Sequence, residues 1–242
     1  MIQVLSKEFN SFLNSLIAYI VIGVFLTAMG LLMWVFPDTS VLAYGYADMS
    51  TLFMLGPYVF MFLIPAITMK SFAEERKAGT MELLLTRPVT DWDIILGKFL
   101  ACFLLVIVSL IPTLVYYISI YRLGDPVGNI DSAGVMGSYI GFLLLGGVFC
   151  TVGILASAIT PNQIVAFITA AFLCFFLYAG FDRLAAINLW SEYALAIRQL
   201  GLLYHYEAIG KGLVDSRDLI YFFSVGFVML STTKVVLSAR SW

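Results

Sequence analysis

The 242-residue sequence is 62% hydrophobic and only 12% charged, with a mean hydropathy of +0.99, a net charge of −2 and a pI near 5.3. A soluble domain carries roughly 25% charged residues, so this chain lacks the groups needed to wet a surface, and it has no basic footprint for nucleic acid. At ~20 apolar residues per crossing, residues 1–242 fit a single all-α membrane domain of about five to seven spans.

At the N-terminus Ile2, Leu5, Phe9, Phe12 and Leu13 recur at three-to-four spacing, with Gln3, Ser6, Lys7, Asn10 and Ser11 between them. The stripe suits an interfacial helix lying on the bilayer, and equally a one-turn continuation of the first span. No basic segment precedes the first apolar run and no small-residue cleavage site follows it, so it reads as a retained span. Asp, Glu, Lys and Arg are absent from 9–37, 49–69, 99–121, 132–181 and 219–233. The fourth of these runs would measure about 75 Å as one helix, against a hydrocarbon core of ~30 Å. It therefore folds back on itself, and Pro161-Asn162-Gln163 supplies the turn. Six spans result, at about 14–36, 51–69, 99–121, 134–160, 164–181 and 219–237.

Between spans two and three lies the most informative segment, residues 70–98. Charge is concentrated at its start, Gly79-Thr80 breaks a helix, and 81–86 form a short apolar element ended by Pro88. Thr90 with Asp93 makes a capping box for the helix feeding span three. Three adjacent leucines, Leu83, Leu84 and Leu85, cannot all face the bundle from one helix. Such an element at the membrane surface, bracketed by Gly and Pro, can press into a groove on a soluble partner.

Further along, span four carries Gly137 and Gly141 as a GxxxG pair and Gly153 with Ser157 as a second small-residue pair. Both allow close helix approach, within the chain or at a dimer seam. Pro57, Pro65 and Pro112 kink their helices or serve a gate. Asp182, Arg183 and Lys234 lie near span ends, where snorkelling accounts for them. Cys102, Cys150 and Cys174 fall inside apolar runs and read as small apolar fillers. The loop 182–218 is rich in Trp, Tyr and Leu, and suits one or two short helices at the outer face. Gly210 and Gly212 terminate them, and Asp215, with Asp218 three residues on, caps span six.

An even span count places both termini on one side. Lys7, Lys70, Arg76, Lys77, Arg87, Lys98, Lys234 and Arg240 fall there, against Arg122, Arg183, Arg198, Lys211 and Arg217 opposite. The excess of cations makes the first side cytoplasmic. Enzyme chemistry lacks parts: the sole histidine is His205, no Walker A surrounds Gly97-Lys98 or Gly210-Lys211, and no carboxylate lies within a span.

The ordered set of Glu75 (with Glu74 beside it), Gly79, Thr80, Glu82, Leu83, Leu84, Leu85, Pro88, Gly97 and Lys98 resembles the ABC-2 family of transporter permeases. In that family the corresponding cytoplasmic segment reads Glu, Gly-Thr, a Glu before leucines, then Pro and Gly-Lys. Residues 71–75, 123–131 and 162–167 are similar to the gliding-motility-associated permease subunit of Bacteroidetes-type bacteria, a likeness that covers most of the chain up to Asp182. The resemblance implies a multi-pass subunit of the bacterial inner membrane, inclined to export, that binds no cofactor itself. It also implies a separate cytoplasmic ATPase holding ATP and Mg, and a second membrane subunit or a second copy of the permease. Residues 74–88 would couple to that ATPase. The resemblance supplies no substrate, and a non-transporting anchor or scaffold for a motility or secretion assembly is the alternative.

Overall fold

A computed structural model of the chain describes residues 1–80, 90–187, 193–212 and 214–239. Among them the elements are all helical. They run α1 (Ile2–Leu13), α2 (Leu16–Trp34), α3 (Val41–Tyr44), α4 (Ser50–Thr68), α5 (Ala73–Lys77), α6 (Asp91–Leu110), α7 (Leu114–Leu123), α8 (Ser132–Ile159), α9 (Gln163–Phe175), α10 (Phe181–Ala185), α11 (Ala194–Gln199), α12 (Leu202–Gly210) and α13 (Ser216–Ser238). A 3-10 turn, Ile111–Thr113, joins α6 to α7, and a π-helical turn, Phe176–Gly180, joins α9 to α10. Among the described residues six stretches are long and apolar enough to cross a membrane, and they coincide with the six spans expected.

Local chemistry sets the boundaries. Ser15 accepts a hydrogen bond from Ile17 N and starts α2 afresh, so α1 is a separate helix and not an extension of span one. Thr90 and Asp93 form the expected capping box, which lets α6 begin at Asp91, well before the charge-free run. Asn162 caps α9 after the break at Thr160, and Asp215 caps α13. Span three departs from a straight helix at Pro112, which has no N–H to donate. Span five outlasts its expected end by continuing through the π turn to Ala185.

α8 is the shaft of the molecule. Its apolar window is 83% buried, against 17% for α13, and α4, α6, α9, α12 and α13 all pack on it. Phe142 of α8 stacks on Phe60 of α4 at 4.4 Å, and Phe60 meets Phe25 of α2 at 4.7 Å. Small residues permit the closest approach. A Cβ on Gly153 would overlap the Thr68 hydroxyl, which is itself committed to the Ile64 carbonyl. Gly153→Val is therefore expected to destabilise the folded chain by about 1–3 kcal/mol through overpacking, with Thr68→Ala recovering part of the loss. Thermal unfolding in lipid nanodiscs reads this, and an unshifted midpoint would contradict the packing described.

The two ends of the bundle differ. One gathers α1, residues 70–80, the start of α6 and the end of α13. There the Met1 amine lies 3.2 Å from Asp93, Lys7 Nζ lies 3.9 Å from Glu75, and Lys234 Nζ sits 5.4 Å from the centre of the Trp92 ring. The opposite end holds the α4, α8 and α13 starts together with α11 and α12. The short helices expected between spans five and six are α11 and α12.

Candidate functional site

The site begins with a serine. Ser157, at the C-terminal end of α8, accepts hydrogen bonds from Phe72 N at 2.9 Å and Ala73 N at 3.0 Å, and donates to Met69 O at 3.1 Å. One hydroxyl thus satisfies the turn between α4 and α5 and part of the N-terminus of α5. Three residues further on, Arg76 Nη1 donates to Ala158 O at 2.6 Å, among the last carbonyls of α8. Gly79 then takes φ +67, a left-handed conformation that closes α5, and Thr80 N bonds back to Glu75 O at 3.0 Å.

On this frame sits Lys98, only 2% exposed although it carries a charge. Its ammonium donates to Ser71 O at 2.6 Å, Glu75 Oε1 at 3.0 Å and Glu8 Oε1 at 3.2 Å. Those three bonds use its full donor complement. The Phe72 ring faces it at 5.0 Å, a cation–π contact. Exposed Lys7 approaches Glu8 at 3.5 Å and Glu75 at 3.9 Å, so two carboxylates are balanced by two ammonium groups. Glu75 Oε2 is buried without a hydrogen-bond partner among the described residues. Four pieces of chain meet here: α1 through Glu8, the turn after α4 through Ser71, α5 through Glu75 and α6 through Lys98. α1 is also seated sterically, with Val4 and Leu5 lying over Gly97.

The residues expected to couple to a partner divide accordingly. Glu75 belongs to this hub, Glu74 is exposed on α5, and Gly79 and Thr80 form the exposed end of that helix. Glu82, Leu83, Leu84, Leu85 and Pro88 lie outside the described residues. The four packing residues of α8 all serve contacts inside the chain. Gly137 lies under Ile209 O and Gly212, Gly141 under Ile209 and Tyr206, Gly153 under Thr68, and Ser157 in the turn already described. Sequence reasoning missed Glu8 and Arg76 as members and gave Lys98 no role beyond a motif position. A usable signal existed for Lys98: it falls on the face marked by buried Ile94, Ile95, Ala101 and Cys102, and a charge on an inward face needs a partner.

A cavity of about 620 Å³ lies at the opposite end, away from the hub. α4, α8 and α12 enclose it, with Phe53, Tyr58, Tyr178 and Tyr206 inside and Glu207 and Lys211 at the edge. Tyr206 Oη donates to Phe53 O at 2.7 Å and pins α12 to α4. His205, expected only as a lone loop histidine, is clasped between Asp218 at 2.6 Å and Gln199 O at 2.9 Å, and stacks on Tyr221. Asp182, at the end of span five as read from sequence, and Asp218, in the first turn of capped α13, also pair with Arg198 and His205.

A six-span helical membrane protein with a cross-tied segment between spans two and three is thus defined. A family model described as ABC-2 family transporter protein matches residues 2–211, which takes in five of the spans and the short helices α11 and α12. The chain belongs to this family and is a membrane permease of an ABC transporter. Such permeases generally work with a cytoplasmic ATPase and another permease subunit or copy. No curated protein matches the chain.

Proposed function

We propose that this permease is driven by a separate cytoplasmic ATPase docking on the basic face, and that residues 74–88 receive its movement. The observation that carries this reading is the Lys98 hub. It ties the segment after span two to α1 and to span three, while Ser157 and Arg76 tie the same segment to α8. Displacement of the segment would pass to spans two, three and four together. Export, with ATP and Mg at the partner, is the direction that the family likeness favours, and residues 71–75, 123–131 and 162–167 support a link to gliding motility. The second membrane component is either another copy or a related subunit, in an inner membrane with both termini cytoplasmic.

Reconstitution tests the reading. The chain co-purified with its ATPase should raise hydrolysis above that of the ATPase alone, whereas equal rates would leave an anchor or scaffold. Orientation is tested separately. Asp48→Cys and Asp125→Cys should react with an impermeant thiol reagent added outside, and Lys77→Cys should not. Labelling at position 77 in cells with an intact inner membrane would reverse the topology.

A further inference from the structure

The thiols of Cys102 and Cys150, read from sequence as apolar fillers, are in contact: Sγ to Sγ is 3.0 Å, and both side chains are fully buried. They reach each other from different spans. Cys102 lies on α6 one turn beyond Lys98, and Cys150 lies on α8 two turns before Ser157. The pair therefore bridges the two helices whose inner ends carry the hub and its anchor. Cys174, the third free thiol, is buried on α9.

We propose that Cys102 and Cys150 are a redox-modification site, at which a lipid-soluble oxidant of the quinone class forms a disulfide that staples α6 to α8 and arrests coupling. The step balances. Two S–H bonds break and one S–S bond forms, while the quinone takes up two electrons and two protons to become the hydroquinone. Facing side chains already in contact need close by only about 1 Å to reach the S–S bond length of ~2.05 Å. Ala101, Leu105, Val106 and Phe149, their neighbours along α6 and α8, are buried and apolar, which disfavours a charged, water-soluble oxidant. Once the bond forms, α6 cannot slide or rotate against α8, so movement reaching Lys98 cannot be passed inward. The arrest, unlike the bond, rests on the permease reading given above.

The test uses the permease–ATPase complex in nanodiscs treated with duroquinone, whose fully substituted ring resists thiol addition. Thiol titration after denaturation should find Cys174 alone free, where the untreated chain shows three free cysteines, and peptide mapping should recover a Cys102–Cys150 link. Permease-stimulated hydrolysis should fall to the level of the ATPase alone and return with dithiothreitol. Cys150→Ser should form no link and keep its stimulation in the presence of the quinone. Three thiols remaining after treatment, or a link through Cys174, would overturn the site. A linked complex that hydrolyses ATP as before would overturn the arrest. Absence of stimulation before any oxidation would instead count against the proposed coupling to the ATPase, with the thiol titration still deciding the site.

Discussion

Lys98→Met is expected to cost the folded chain several kcal/mol. Removing the ammonium leaves Glu8 and Glu75 facing each other and strips Ser71 O of its donor. Breaking a buried ion pair from one side costs about 3–5 kcal/mol. The partial exposure of both carboxylates, 14% and 17%, places this case toward the lower end. A triple variant, Glu8→Gln with Glu75→Gln and Lys98→Met, removes the uncompensated charges and should regain most of the lost thermal stability. It should not regain stimulated hydrolysis, because the tie between α1, α5 and α6 is gone. Recovery of both properties would show the hub to be purely structural, and a Lys98→Met midpoint equal to that of the wild type would remove the hub from consideration altogether.

The second large effect is expected at the leucine run. Thr80 and Thr90, the described residues on either side of it, are both exposed at the end of the bundle proposed to meet the ATPase. Burying one leucine side chain is worth roughly 1.5–3 kcal/mol, and every 1.4 kcal/mol is about tenfold in affinity. Leu84→Asp should therefore weaken association with the ATPase by about tenfold or more while insertion is unaffected. Should these leucines instead rest on the bilayer or close the bundle, the same variant would lower folding yield and leave affinity per folded molecule unchanged. Quantifying the ATPase retained at a fixed amount of permease separates the outcomes.

Much of the architecture was legible because its causes are local. Charge-free runs mark spans whatever the tertiary structure, and Thr90, Asn162 and Asp215 satisfy N–H groups only two or three residues away. The irregular turns of spans three and five were legible unequally. Pro112 marks the first, but nothing in Phe176–Gly180 distinguishes a π turn from ordinary helix. The site was harder to read because its bonds are long-range. Lys98 meets partners 23, 27 and 90 positions away, and Phe72 meets Ser157 across 85. Periodicity shows that a residue points inward without showing what it will find there. The small residues of α8 illustrate the same limit. GxxxG spacing reveals that something comes close, and only the fold shows that Ile209 and Gly212 of the same chain are what approach Gly137.

The hub also has an order in time. Glu8, Ser71 and Glu75 all precede Lys98 in the chain, so every ligand of this buried charge has been synthesised before the charge itself. Domains form from the N-terminal end during synthesis, and here the ionic knot can be tied while spans four to six are still unmade. The contacts at the opposite end are the reverse case. His205 must wait for Asp218, and Tyr206 reaches back 153 positions to Phe53. The Lys98 hub can thus close before the contacts at the other end of the bundle are made.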